Sequence, residues 1–349
     1  MTVRVLIIDD SAFVRKVLTE ILSSDPAIEV VGAAPNPLVA RDMIKSLNPD
    51  VLTLDIEMPR MDGLSFLDKI MSLRPMPVVM ISSLTQKGAE TALQALEMGA
   101  VDYVAKPTVG LVGGLSSLAE EIIAKVKTAA SARVKPRVGQ KPQAARLPSA
   151  ASFNSSEKII AVGASTGGVE ALQEFLTAFP SDSPAILITQ HMPAMFTASF
   201  ANRLDHCCAV GVSQAKDGER VLPGHAYIAP GGYHLELARN GANYTCRVHE
   251  QPLVSGHRPS VDVLFRSVAK AAGANAVGVI LTGMGKDGAA GLLEMRRAGA
   301  PTIGQDEATC IVYGMPKAAK DCGASEVELP LSKIPAQVLQ NCQGRGVRV

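Results

Sequence analysis

The chain has 349 residues, 47% of them hydrophobic and 19% charged, with a formal net charge of +1. That length favours two domains over a single core, and the near-neutral balance gives no global pull toward nucleic acid or an anionic membrane surface. No apolar run approaches the roughly 20 residues of a membrane span, and Met1-Thr2-Val3-Arg4 leads straight into the strand-like VLIIDD rather than into a signal sequence.

The first half alternates strand and helix signals. Short apolar runs (RVLII, EVVGAA, DVLTL, PVVMIS, DYVA) are separated by stretches with helical spacing. In the first such stretch Val14, Val17, Leu18, Ile21 and Leu22 recur on one stripe, and Ser11 stands at the N-cap position. Strands this apolar, each followed by a helix, imply a parallel sheet covered on both faces, a doubly wound domain. Ligands of such a sheet collect at the carboxyl ends of its strands. Asp9 and Asp10 end the first strand, Asp55 the third, Ser82 the fourth and Lys106 the fifth. Three gathered carboxylates repel one another and invite a hard cation such as Mg²⁺, while an ammonium and a hydroxyl beside them suit an added phosphoryl group.

The pieces IIDD, LDIEMPRMDG, PVVMIS and GAVDYVAKP resemble the receiver domain of bacterial two-component response regulators. The resemblance implies that Asp55 is the phosphoacceptor and that Asp9 and Asp10 ligate Mg²⁺ with it. It further implies that the backbone carbonyl of Glu57 completes the metal site. Lys106 and Ser82 then contact the phosphoryl group, and Tyr103 is a switch residue.

Past this half, residues 128–156 are rich in Ala, Ser, Pro and basic side chains, with few large apolar ones. Such a segment cannot bury a core and reads as a flexible linker. The expected division is therefore a first domain over 1–127, the linker over 128–156, and a second domain over 157–349.

In the second domain KIIAVGA, AILITQ, VGVSQA, VGVILT and PTIGQD read as strands, and LQEFLTAF, FTASFANRL and VDVLFRSVAKAA as helices. The stretch AYIAPGGYHLELARNGANYTCRVHE holds alternating runs joined by Asn-Gly, a hairpin signal. An α/β domain with a parallel sheet and an antiparallel insert follows. The six cysteines (Cys207, Cys208, Cys246, Cys310, Cys322, Cys342) form no CxxC pair and have no histidine at zinc-ligand spacing. They are expected to be free thiols in a reducing cytoplasm.

Gly163-Ala164-Ser165-Thr166-Gly167 fits G-x-S-x-G, the sharp strand-to-helix turn that lifts a serine hydroxyl clear of a sheet. It also resembles a degraded dinucleotide turn, but that reading wants a carboxylate at the end of the next strand. His191 stands there instead, and a histidine can take a proton from a serine. Asp287 follows the strand VGVILT, so Ser165, His191 and Asp287 project from one sheet edge as nucleophile, base and orienting acid. Among the other histidines, His225 and His234 are expected to be structural or exposed. His206 and His249 need only a bland reading, while His257 lines the site together with Arg258. Asp262 is expected to cap its helix, and Asp217 to belong to a turn.

GASTGG, QHMPAMFTASFANRLD, IAPGG, HRPSVDVLF and LTGMGKDGAAG are similar to the catalytic domain of chemotaxis protein-glutamate methylesterases. That resemblance, with the receiver in front, covers nearly the whole chain. It implies a cytoplasmic enzyme that hydrolyses glutamate γ-methyl esters on methyl-accepting chemotaxis receptors and deamidates glutamines there. The triad it implies is Ser165, His191 and Asp287, with an oxyanion hole near the backbone of Thr166 and Met284. No cofactor is expected for hydrolysis, Mg²⁺ serves the receiver, and a chemotaxis-type sensor histidine kinase is the phosphodonor. No nucleic-acid partner and no direct membrane insertion are expected. The unphosphorylated receiver is expected to cover the esterase edge. The rival reading is a response regulator with a non-enzymatic output that binds DNA or protein. It would want a helix-turn-helix and a basic face where a full α/β domain stands.

Overall fold

The computed structural model describes residues 2–59, 61–83, 86–106, 118–134 and 158–343. The chain divides into two compact units, Met1–Gln140 and Lys141–Val349. The expected linker lies outside the described residues from 135 onward, while its first residues continue the helix Ala119–Ala130.

In the first unit β1 (Val3–Ile8), β2 (Ile28–Ala34), β3 (Val51–Asp55), β4 (Val78–Ser83) and β5 (Asp102–Lys106) form one sheet. Its order is β2-β1-β3-β4-β5 and every pairing is parallel. The central β3 is buried along its whole length, whereas the edge strand β2 is buried only at its ends. The helix Ala12–Ser23 buries the stripe Val14, Val17, Leu18, Ile21 and Leu22. Ser11 caps it by accepting the Val14 N–H at 3.4 Å.

In the second unit β6 (Ile159–Ala164), β7 (Ala185–Gln190), β8 (Gly211–Gln214), β9 (His225–Ile228), β12 (Ala276–Ile280), β13 (Thr302–Gln305) and β14 (Val327–Leu329) form a parallel sheet. The strand order is β14-β13-β12-β6-β7-β9-β8. A separate antiparallel hairpin pairs β10 (His234–Asn240) with β11 (Asn243–His249), turning at Gly241 with φ of +60°. The AYIA part of the expected insert joins the main sheet instead, as β9 between β7 and β8. Its Ala226, Tyr227 and Ile228 are all buried, so a four-residue strand covered on both faces shows no alternation to read. The three-residue β14 is likewise too short to announce itself. No helix among the described residues is long and apolar enough to cross a membrane.

β6 lies between β7, which follows it in the chain, and the later β12. The strand order reverses at this point, which opens a crevice at the carboxyl ends of the three strands. The helix Val261–Ala271 packs on β6 with Val261, Leu264, Phe265 and Val268 fully buried. Burying Phe265 alone is worth about 2–3 kcal/mol. The close approach depends on Gly163, since a Cβ there would run into the Val261 side chain, and Gly288 presses the same valine.

Gly163→Ala should therefore destabilise the second unit by about 1–3 kcal/mol through overpacking. Adding Val261→Ala in the same chain should recover part of that loss. Urea unfolding of the full chain reads both, and a pair of additive losses would contradict this packing.

Candidate active site

Ser165 follows the last residue of β6, and the turn around it is tied on both sides. Its N–H donates to the Thr282 carbonyl at 3.0 Å, and its own carbonyl accepts the Gly168 N–H at 2.7 Å. Gly167 adopts φ of +77°, a conformation that favours glycine, and starts the helix Gly168–Thr177. Gly283 approaches so closely that a Cβ on it would lie 2.7 Å from that of Ser165. The Thr282 hydroxyl donates to the Thr166 carbonyl at 3.1 Å and accepts from the Val312 N–H at 3.0 Å. The segment after β12, which carries Met284, is thus fastened against the serine turn.

His191 follows β7, with its N–H donating to the Ala164 carbonyl at 3.1 Å. Its Nδ1 lies 3.2 Å from Ser165 Oγ and its Nε2 2.8 Å from Asp287 Oδ2. An ionised Asp287 accepts from Nε2–H, which leaves the Nδ1 lone pair facing the serine hydroxyl. Gln190, buried beneath, donates from Nε2 to the Ser165 carbonyl at 2.9 Å and the His191 carbonyl at 3.2 Å, bracing both turns. His257 stacks on His191 with ring centroids 3.7 Å apart and planes within 12°. It thereby closes one face of the imidazole and limits its rotation. Burial, with the neighbouring His191, pulls the His257 value down to about 4, so this ring is neutral at neutral pH.

Asp287 is 2% exposed, and its charge is met almost entirely by donors. It stands at the N-terminus of the helix Val261–Ala271, whose Val261 N–H reaches Oδ2 at 2.7 Å and whose Asp262 N–H reaches Oδ1 at 3.2 Å. Ser260 Oγ donates to Oδ1 at 2.8 Å. Burial pushes the carboxyl up, but the bonds from His191, Ser260 and Val261 outweigh it and hold the group below its ordinary range. Asp287 is therefore ionised at neutral pH.

The strand ends of the first unit form a second constellation. Among the described residues, ligand oxygens of Asp9, Asp10 and Asp55 lie within 4.8 Å of one another, a group able to hold a metal ion. Asp9 and Asp55 are buried and Asp10 is exposed. Lys106 Nζ sits 2.9 Å from both Asp9 Oδ2 and Asp55 Oδ2. Burial drives the Asp55 carboxyl up to about 6 against the pull of Lys106, with Asp9 adding to the rise. An all-oxygen donor set of this charge fits a hard divalent cation. The Glu57 N–H turns back to Asp55 Oδ1 at 3.3 Å, which places Glu57 beside the cluster. Tyr103 is buried on β5 beneath Lys125, whose Nζ lies 4.9 Å from the ring centroid. The Ser82 side chain lies outside the described residues.

The remaining titratable groups sort clearly. His225 pairs with Ser213 at 2.8 Å, Asp217 accepts the Val248 N–H at 2.9 Å, and His206 is exposed at the end of its helix. Asp262 accepts the Gly291 N–H at 2.7 Å, tying two helices together as well as sitting in the first turn of its own. Two residues beside the triad escape sequence reasoning. Ser260 looks like an ordinary N-cap, and His234 like the start of a hairpin strand; both are fully buried. The only sequence signal is the run HRPSVD, where a serine stands at a helix start within reach of the strand-end acid.

Comparison with known proteins points one way. The CheB methylesterase family matches residues 160–338, and the response regulator receiver domain matches residues 5–110. The chain is 57% identical to the protein-glutamate methylesterase/protein-glutamine glutaminase of Chromohalobacter salexigens, over 99% of this chain and 97% of that one. It is 58% identical to the protein of the same name from Salmonella typhimurium, over 99% of each. Among solved structures it is similar to the CheB methylesterase catalytic domain of Thermotoga maritima. That match has 37% identity and a TM-score of 0.52, covering 53% of this chain and 99% of that one.

The raised Asp55 carboxyl has a stability consequence of definite sign. A carboxyl held above its ordinary 3.8 favours the fold below that value and loses the contribution as pH rises through about 6. Asp55→Asn, measured without divalent cation, should stabilise the first unit by about 3 kcal/mol at pH 8 and leave it unchanged below about pH 4. Urea unfolding at the two pH values tests this, and equal destabilisation at both would contradict it.

Proposed function

This chain belongs to the CheB methylesterase family, and on that premise we propose that Ser165, His191 and Asp287 are its hydrolytic machinery and Asp55 its phosphorylation switch. The chain is a protein-glutamate methylesterase and protein-glutamine glutaminase with a receiver domain in front. The observation that carries the residue assignment is the unbroken line from Ser165 Oγ through His191 to Asp287, with steps of 3.2 and 2.8 Å.

In the reaction His191 Nδ1 takes the Ser165 proton as Oγ attacks the ester carbonyl. Backbone N–H groups of Thr166 and Met284 receive the developing oxyanion, a contribution of about 3 kcal/mol per donor. The protonated His191 then gives its proton to the departing methoxide, releasing methanol and leaving a glutamyl ester on Ser165. Water, deprotonated by the same nitrogen, cleaves that ester and restores Ser165 and a free glutamate side chain. With a glutamine substrate the leaving group is ammonia and the other steps are unchanged. Asp287 stays ionised throughout and stabilises the imidazolium that forms twice per turnover.

The substrates are methylated glutamates of chemotaxis receptors, met in the cytoplasm, and the phosphodonor is a chemotaxis-type histidine kinase. Asp9, Asp10, Asp55 and the Glu57 carbonyl would hold Mg²⁺, which when bound neutralises charge during phosphoryl transfer. Lys106 and Ser82 would receive the phosphoryl oxygens, with Tyr103 reporting the change to the rest of the receiver. Phosphorylation then shifts the enzyme from a restrained to an active population. A 100-fold activation requires only about 2.7 kcal/mol of coupling.

Ser165→Ala should lower methanol release from methylated receptor by at least about 10³-fold with an unchanged unfolding midpoint. Release at the wild-type rate would overturn the nucleophile assignment. A small-molecule phosphodonor with Mg²⁺ should raise release by the wild-type chain and leave the rate of Asp55→Asn unaltered. Equal activation of both would remove Asp55 from the switch.

A further inference from the structure

Among the described residues, one side chain outside the triad donates a hydrogen bond to Asp287, and that side chain is itself held from behind. Ser260 occupies the N-cap position of the helix Val261–Ala271, yet its hydroxyl makes no bond to its own helix. The usual cap function passes to the Asp287 carboxylate, which accepts the Val261 and Asp262 N–H groups. The Ser260 hydroxyl is turned instead onto Asp287 Oδ1 at 2.8 Å.

The two carboxylate oxygens thereby have separate duties. Oδ2 takes His191 Nε2 at 2.8 Å and Val261 N–H at 2.7 Å. Oδ1 takes the Ser260 hydroxyl at 2.8 Å and the longer Asp262 N–H at 3.2 Å. Without the hydroxyl, Oδ1 keeps only that longer bond, and the carboxylate gains freedom to turn about its terminal torsion.

Behind Ser260 stands His234, from the start of the hairpin, and both residues are 0% exposed. The Ser260 N–H donates to His234 Nδ1 at 3.2 Å, and His234 Nε2 lies 3.0 Å from the Pro252 carbonyl. An acceptor at Nδ1 and a donor at Nε2 define one neutral tautomer. Burial lowers the affinity of this ring for a second proton, and His249 and Arg258 nearby act in the same direction against the Pro252 carbonyl and Asp287. Neither Ser260 nor His234 can meet substrate, since no surface of either is open.

We propose that Ser260 and His234 are positioning residues for hydrolysis: His234 anchors the backbone of Ser260, whose hydroxyl holds Asp287 Oδ1 so that Oδ2 stays aligned on His191. The inference rests on the triad reading and extends it by two residues into the protein. A merely structural role predicts something different, a lower unfolding midpoint with unchanged chemistry.

The test measures kcat, KM, the pH profile of kcat/KM and the unfolding midpoint for full-length Ser260→Ala, Ser260→Thr, His234→Gln and the Ser260→Ala/His234→Gln pair. Ser165→Ala is run beside them. Ser260→Ala should lower kcat about tenfold, as loss of a hydrogen bond to a charged group does, with KM within about twofold of wild type. Its acidic limb should move to higher pH, because a carboxylate short of one donor holds the imidazolium more firmly. His257 and Asp262, which also stand beside Asp287, are untouched by these changes, and His234, which interacts with Asp287 as well, is removed only in the His234→Gln chains. Ser260→Thr should restore most of kcat. His234→Gln should lower kcat without raising KM, and the pair should be no slower than Ser260→Ala alone.

A Ser260→Ala chain with a reduced midpoint but wild-type kcat and pH limb would overturn the proposal, as would losses that multiply in the pair. Should Ser260→Ala fail to fold, His234→Gln decides between the two roles through its own kcat and acidic limb. An active Ser165→Ala would instead condemn the triad reading itself, so the two failures are distinguishable.

Discussion

The second domain is organised around one buried negative charge. A carboxylate removed from water costs several kcal/mol unless it is fully paired, and Asp287 is 2% exposed. Its balance comes from a helix N-terminus, a serine hydroxyl and the histidine it orients. Those donors belong to distant parts of the chain, so holding the charge also holds the geometry. The Val261–Ala271 helix must end against β6, and that contact demands the glycines that flank Val261. The segment after β12 must lie against the serine turn, and the Thr282 bonds fasten it there. The topological reversal at β6 supplies the crevice, and the pairing of Asp287 makes it a site.

The two domains use buried aspartates in opposite ways. Around Asp55 burial dominates, and a single lysine shared with Asp9 leaves the carboxyl raised to about 6. Around Asp287 the donors dominate, and the carboxyl is held low. The first arrangement suits a group that awaits a cation and a phosphoryl group to complete its surroundings. The second suits a charge that must persist unchanged through catalysis. On the roles proposed above, the signalling carboxylate Asp55 is left incompletely compensated, and the orienting carboxylate Asp287 is compensated in advance.

Much of this was legible in the sequence because parallel sheets obey a simple rule: chemistry gathers at the carboxyl ends of strands. Ser165, His191 and Asp287 each follow a recognisable apolar run, as do Asp9, Asp10, Asp55 and Lys106. What the letters hid depends on tertiary neighbours. β9 is buried on both faces and only four residues long, so it carries no alternation. Ser260 has the appearance of an N-cap, and only the folded chain turns its hydroxyl toward a different partner. His234 begins a hairpin strand, a place where histidine is commonplace, and its burial arises from packing by remote segments. The stacking of His257 on His191 is likewise a product of the loop before the helix rather than of any spacing.

The central claim is that Asp287, acting through His191, activates Ser165 as a nucleophile. Phosphonylation of the full-length chain by a serine-directed organophosphonate, located by mass spectrometry and timed in the wild type and in Asp287→Asn, tests it most directly. One label per chain is expected, on Ser165, formed at least about 10²-fold more slowly in Asp287→Asn. A label elsewhere, or equal rates in the two proteins, would contradict it.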